Sequence, residues 1–252
     1  MVVQVREGLL TTSAPHTAPL AGRVLVATAV PAERDAVARA LTGSPDAATR
    51  IDVLAVGVGP AAAAAGTATA LARAAAADLP YALVVSAGIG GGFPPHAPVG
   101  SLVVADEVTV ADLGAETPDG FAPVTELGFG AVTHRPPPSL VRDVAEACGA
   151  ATGTVLTVST VTGSAERAAE LRLRHPRALA EAMEGFGVAE AAALHGLPVL
   201  EIRAASNPVG PRDRAAWRIG DALAALSDAF GKAAPVLRSW NPHGSTFSST
   251  HD

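Results

Sequence analysis

A chain of 252 residues, 49% hydrophobic and 17% charged, is long enough to bury a large core and too apolar to remain disordered. Its formal net charge of -6 argues against general nucleic-acid binding, which needs clustered Lys and Arg, and points to small-molecule partners. One cysteine, Cys148, excludes an internal disulfide, and no Cys/His spacing reads as a zinc site, which fits a reducing cytoplasm.

Residues 1–21 have neither a basic start nor a compact apolar run, and are read as a flexible extension rather than a secretory signal. Arg23–Thr28 is a β-branched run suited to a buried parallel strand. Pro31 opens a helix and Glu33 falls in its first turn. Ile51–Val56 reads as a second strand, leaving through the turn Gly57-Val58-Gly59-Pro60 into a helix from Ala61 towards Ala77. That alanine-rich stretch is broken by Gly66, Arg73 and Asp78, so no segment reaches the roughly 18 apolar residues of a membrane span. Tyr81–Ala87 is an apolar strand expected to end in a glycine-rich loop, Gly88 to Phe93, that lets backbone approach a ligand closely.

Further along, Leu102–Val110, Thr154–Val158, Ala178–Ala182 and Leu200–Ala205 read as strands. Helices are expected over Ser139–Cys148, Ala165–Arg174, Gly185–His195 and Ala215–Lys232. The alternation predicts one α/β domain over residues 22–235, with a flexible tail over 236–252. In such a sheet the ligand crevice lies beyond the carboxyl ends of the strands. Met183-Glu184 and Ser206-Asn207 both stand at such exits, and an Asn-Pro pair is expected to stop the second strand at Pro208.

Gly57-Val58-Gly59-Pro60-Ala61-Ala62 matches a dinucleotide-binding turn, but the acid expected about 20 residues later is absent at Ser86-Ala87-Gly88, so a structural turn is the better reading. By pattern alone Glu33 reads more readily as a first-turn acid than as a catalyst, and Glu184 equally as either. Asn207 reads equally as a turn former. The seven histidines show no triad or ligand spacing, and His195 is expected to complement a helix end.

The stretch RVLVATAV leading to Glu33, the Ser86–Phe93 segment, Ala111–Glu116, Ser159–Gly163, Ala182–Gly185 and Ser206–Arg214 occur in an order and spacing that resemble the nucleoside phosphorylase and nucleosidase superfamily. Within it they look most like the futalosine hydrolases of menaquinone biosynthesis. The resemblance spans Arg23 to Ala234. It implies a three-layer α/β/α nucleoside phosphorylase-like fold with a mixed, partly closed central sheet. It also implies a cytoplasmic homo-oligomer, dimer or tetramer, and hydrolysis of an N-glycosidic bond with no cofactor and no metal.

Carried over residue by residue, the resemblance makes Glu33 the base that activates water, and makes Glu184, beside Met183, the carboxylate that binds the ribose hydroxyls. Asn207 stands where adenine-releasing relatives carry aspartate, and an amide suits a 6-oxopurine such as hypoxanthine. Ser206 orients or backs that amide. Ile89 and Gly90 belong to the glycine segment, and Thr162, Gly163 and Glu166 to the base-binding loop. Phosphorylases hold phosphate with an arginine and a hydroxyl, whereas the matching positions here are Ser86 and Ile89, so water is the expected nucleophile. Phe93, Phe121, Arg212 and Arg214 are candidates for a benzoate-bearing tail, and Asp112 and Glu116 either line the site or satisfy loop amides. Competing readings are a methylthioadenosine/S-adenosylhomocysteine nucleosidase and a nucleoside-binding protein without turnover.

Overall fold

The structure is a computed structural model that describes residues 22–42 and 50–241. Ten strands and six α-helices alternate among these residues. Strand β1 (Arg23–Thr28) leads to α1 (Pro31–Leu41), β2 (Ile51–Ala55), α2 (Pro60–Ala76), β3 (Tyr81–Gly92) and β4 (Leu102–Val110). A hairpin of β5 (Gly114–Thr117) and β6 (Gly120–Pro123) follows, then β7 (Thr133–His134), α3 (Pro138–Cys148) and β8 (Ala151–Thr157). The chain closes with α4 (Ala165–Arg174), β9 (Ala178–Ala182), α5 (Gly185–Leu194), β10 (Val199–Pro208) and α6 (Ile219–Ser239).

The sheet order is β10-β4-β8-β9-β3-β1-β2, and β10 also pairs with β3. The five strands β3, β10, β4, β8 and β9 therefore form a closed ring, and β1 and β2 extend from it as a parallel flap. Only β10–β4 and β3–β9 are antiparallel within the ring. This is the mixed, partly closed sheet expected from the sequence.

Three apolar clusters hold the layers. Val37 and Leu41, Leu140 and Val144, and Leu226 and Phe230 pack α1, α3 and α6 onto one face. On the other, Ala63 and Leu71 of α2 meet Val188 and Ala192 of α5 over Leu25 and Val84. A third cluster joins Phe93, Leu156 and Leu171. At roughly 1.5–3 kcal/mol per fully buried large aliphatic side chain, these seams set the strand ends in place.

The structure corrects several boundaries. Gly88 to Gly92 is strand rather than loop, because β3 runs through it paired with β10 throughout and with β9 at Gly91 and Gly92. Those ladders outweigh the low strand propensity of glycine. Strand β10 likewise passes Asn207 and ends at Pro208, after an irregularity between Ala205 and Asn207, the kind of position where proline's missing N–H is tolerated. The last helix starts four residues later than expected and runs seven further, with Leu237 buried and Trp240 packed on the core. Residues 236–239 thus belong to the fold. The rest of the expected tail, from 242, and the extension at 1–21 lie outside the described residues. The β5–β6 hairpin was missed, although Asp119-Gly120, with Gly120 at φ 116°, is a hairpin-turn signal. No helix among the described residues is long and apolar enough to cross a membrane.

Candidate active site

Four strand exits converge on one pocket. β1 delivers Ala29, Val30 and Glu33; β3 delivers Ile89, Gly90 and Gly91; β9 delivers Glu181, Met183 and Glu184; and β10 delivers Ser206 and Asn207. Val58, Thr162, Arg212 and Trp217 come from connecting segments.

Glu33 is 4% exposed, and its carboxylate is held by backbone amides. Oε2 accepts from Ala29 N at 2.9 Å and Val30 N at 3.3 Å, and Oε1 accepts from Ile89 N at 2.9 Å. The first two bonds satisfy the helix start, so the first-turn reading of this acid holds structurally. The third ties it to β3 and turns it into the pocket.

Arg203 lies beneath, 1% exposed, and holds two acids and a serine. Its Nε donates to Glu201 Oε1 at 2.8 Å, its Nη2 donates to Ser86 Oγ at 3.0 Å, and its Nη1 lies 3.3 Å from Glu184 Oε2. Glu184 Oε1 also accepts from Gly59 N at 3.2 Å. The Gly57–Pro60 turn, with Gly57 and Gly59 at positive φ, thus turns a backbone N–H onto the Glu184 carboxylate. Glu201 is 0% exposed, its Oε2 has no hydrogen-bond partner, and burial pushes its carboxyl above the ordinary range against the pull of Arg203. It fits only because residue 185 is glycine: a β-carbon there would collide with the Glu201 carboxylate.

Across the pocket, Ser206 Oγ donates to Asn207 Oδ1 at 2.8 Å and lies 3.2 Å from Gly90 O, while Asn207 Nδ2 donates to Pro208 O at 3.1 Å. Glu181, 5% exposed, accepts from Thr162 N at 2.9 Å and, at its other oxygen, from the Thr162 hydroxyl. Burial raises its carboxyl above the ordinary carboxylate range, and the two Thr162 donors oppose that shift.

The description "Phosphorylase superfamily" matches residues 9–238. The futalosine hydrolase of Streptomyces coelicolor is 70% identical over 231 residues, covering 87% of this chain and 98% of that protein. The chain belongs to the phosphorylase superfamily, among the futalosine hydrolases. The futalosine hydrolase of Acidothermus cellulolyticus is 44% identical over 220 residues, covering 82% of this chain and 88% of that one. Among solved structures, the 5′-methylthioadenosine/S-adenosylhomocysteine nucleosidase of Neisseria meningitidis in complex with methylthio-immucillin-A shares the fold. It superposes with a TM-score of 0.71 at 20% identity, covering 85% of this chain and 99% of that one.

Of the residues that the superfamily resemblance singled out, Glu33, Asn207, Met183, Glu184, Ser206, Ile89, Gly90, Thr162 and Arg212 all line this pocket. Three do not. Phe93 is 2% exposed inside the third core cluster, because its apolar ring is captured beneath α4. Glu166 is exposed at the start of α4, where helix-start hydrogen bonding lowers its carboxyl. Gly163 is exposed next to the pocket, and a β-carbon there would stand 3.7 Å from Arg212 Cγ and Cδ.

The remaining tail candidates also scatter. Phe121 lies under Arg174, 4.5 Å from guanidinium to ring centroid, in a separate cavity. Arg214 stands over Trp217. Asp112 accepts from Ser159 N at 2.6 Å, satisfying a loop amide, and Glu116 pairs with Phe121 in the hairpin. His195 caps α5 without a site contact.

Sequence reasoning missed Arg203, Glu201 and Glu181. The legible signal was a charge inside an apolar strand: Glu201 and Arg203 at i, i+2 share one face of β10, and Glu181 interrupts an alanine run.

Proposed function

We infer that this chain hydrolyses the N-glycosidic bond of futalosine, releasing hypoxanthine and dehypoxanthine futalosine. The observation that carries this reading is 70% identity to the Streptomyces coelicolor futalosine hydrolase over nearly all of that protein, together with a pocket into which Glu33, Glu184 and Asn207 converge.

In this reading Glu184 accepts the ribose 2′- and 3′-hydroxyls, with Arg203 and Gly59 N holding its two oxygens in place. Glu33 takes a proton from water as the oxygen attacks C1′. The C1′–N9 bond breaks, its electron pair stays with the base, which takes up a proton from solvent water at N7, and the ribose gains the hydroxyl. Glu33, Glu181 and Glu184 face the pocket, while Arg212 is the only Lys or Arg among its described lining residues. That imbalance favours the positive charge growing on the oxocarbenium-like sugar.

Asn207 receives the departing base. Its Oδ1 keeps one lone pair for N7–H, and Nδ2 keeps one hydrogen for O6. This amide favours hypoxanthine over adenine, for which an aspartate would supply the N7 proton. Water rather than phosphate is the nucleophile: Ser86 is buried and spent on Arg203, and Arg203 is itself committed to Glu201, Ser86 and Glu184. A phosphate dianion would find no bidentate fork.

The exposed Leu113, Leu127 and Phe129 around the β5–β6 hairpin supply an apolar face for a homo-oligomer of this cytoplasmic enzyme. The deciding experiment is incubation of the purified protein with futalosine, inosine and methylthioadenosine, with and without phosphate, followed by chromatography. Hypoxanthine released from futalosine without phosphate is expected, and adenine release from methylthioadenosine at equal efficiency would overturn the assignment.

A further inference from the structure

Glu181 and Asn207 stand in one row across the sheet. Asn207 pairs with Gly91 on β3, and Gly91 pairs with Glu181 on β9. Residues in register across neighbouring strands share a face, and two strand spacings of about 4.8 Å put roughly 10 Å between the two backbones. That is the width of a flat bicyclic base with a hydrogen bond on each edge. The middle position is glycine, and a β-carbon there would lie 3.4 Å from Asn207 Nδ2 and 2.8 Å from a Val209 methyl. Gly91, Thr162, Glu181, Asn207 and Val209 all line the pocket, so a planar heterocycle there lies between a polar group at either end, against the Val209 methyl that covers the Gly91 α-carbon.

What stands at the Glu181 end depends on a proton. Glu181 accepts both the Thr162 N–H and the Thr162 hydroxyl proton. A threonine hydroxyl has one hydrogen and two lone pairs. With the hydrogen spent on Glu181, Thr162 Oγ1 can offer only lone pairs to a ligand.

Building on the nucleosidase reading above, we infer that Glu181, acting through Thr162, selects 6-oxopurines over 6-aminopurines by making the Thr162 hydroxyl an obligate acceptor. A 6-oxopurine carries a hydrogen on N1 and donates it to Thr162 Oγ1. Adenine has a lone pair at N1, which meets the lone pairs of Oγ1, so the contact becomes repulsive rather than merely absent. Asn207 reads the O6 and N7 edge, and Glu181 with Thr162 reads the N1 edge. Glu181 is a positioning residue in this scheme and takes no part in bond breaking.

The substitution Glu181→Gln tests this with little change of shape. The glutamine oxygen can still accept from Thr162 N, which places its NH2 against Thr162 Oγ1 as a donor. The hydroxyl hydrogen is then released towards the ligand, where it can donate to N1 of adenine. Binding of free hypoxanthine and free adenine to the full-length protein, measured by calorimetry, reads the effect without requiring turnover.

The affinity ratio of hypoxanthine to adenine is expected to fall at least about 30-fold in Glu181→Gln, with hypoxanthine weakened and adenine strengthened. In Thr162→Val hypoxanthine is expected to weaken about tenfold, and adenine, freed of the repulsive lone pair, to bind more tightly, which keeps the test open should the first variant fold poorly. A ratio unchanged from wild type in either folded variant overturns the inference. Futalosine cleavage by the wild-type protein is followed alongside. Cleavage with an unchanged ratio removes this inference and leaves the reaction standing, whereas no cleavage with a shifted ratio removes the reaction and leaves the base selectivity.

Discussion

Glu33 and Arg203 meet over the bare α-carbon of Gly88: a β-carbon built there would lie 2.6 Å from Glu33 Oε1 and 2.6 Å from Arg203 Nη1. One missing methyl group lets the Glu33 carboxylate from the first turn of α1 and the guanidinium from β10 share the space above β3. Gly88→Ala is therefore expected to push both apart. A misplacement of that size costs on the order of 100-fold in kcat, and overpacking costs about 1–3 kcal/mol of stability. Steady-state hydrolysis of futalosine and thermal denaturation together check this, and a variant with wild-type kcat would show that the two groups need no such approach.

Glu33 and Glu184 are expected to fail differently. Glu33→Gln removes the proton acceptor and keeps one oxygen for the amides of Ala29 and Val30 while its NH2 turns towards Ile89 N, so kcat should drop about 10²- to 10⁴-fold with a much smaller change in KM. Glu184→Gln should lower kcat and raise KM together if, as proposed, the same carboxylate holds the sugar and faces the growing charge. Equal losses in kcat and binding for Glu33→Gln would count against its role as base.

Gly185 and Glu201 are expected to be coupled. Gly185→Ala alone drives a β-carbon into the buried carboxylate, and Glu201→Ala alone leaves Arg203 short of its Nε partner, a change that costs roughly 3–5 kcal/mol for a buried pair. In the double variant the alanine at 185 occupies space already vacated. A double-mutant cycle by chemical denaturation should then give about 1–3 kcal/mol of interaction energy, and additive losses would mean that the two sites are independent.

Tyr81 gives a spectroscopic test of the β1–β2 flap. Its hydroxyl donates to Asp52 at 2.7 Å, Asp52 pairs with Arg23, and burial followed by that hydrogen bond pushes the phenol up to about 12. It is the only tyrosine in the chain, so absorbance at alkaline pH reports it alone. The folded protein should ionise near 12 and the unfolded chain near the ordinary value of about 10. Because the folded state keeps its proton longer, the stability that this group contributes is complete below about pH 10 and is lost as pH rises from there towards 12. Ionisation of the native protein near the unfolded value would show that the Asp52 contact does not form.

The sequence by itself determined the local elements and two of the site's acids. The β-branched runs at Arg23–Thr28 and Leu102–Val110, the proline before Glu33 and the glycine after His195 act over a few residues, so period and capping chemistry suffice to read them. The same reading put Glu33 and Glu184 at strand exits, but pattern left both open to being ordinary first-turn acids, and only the family resemblance singled them out. Tertiary structure alone decided that β3 continues through five residues its composition marks as loop, since strand pairing on both sides supplies the hydrogen bonds that glycine propensity does not. It also decided what the interior charges do. Glu181, Glu201 and Arg203 look like interruptions along their own strands, and they become a pocket-lining acid and a buried arginine clamp only when ring closure brings β9, β3 and β10 side by side. A buried charge takes its meaning from its partner, and here each partner except Glu201 comes from a distant part of the chain.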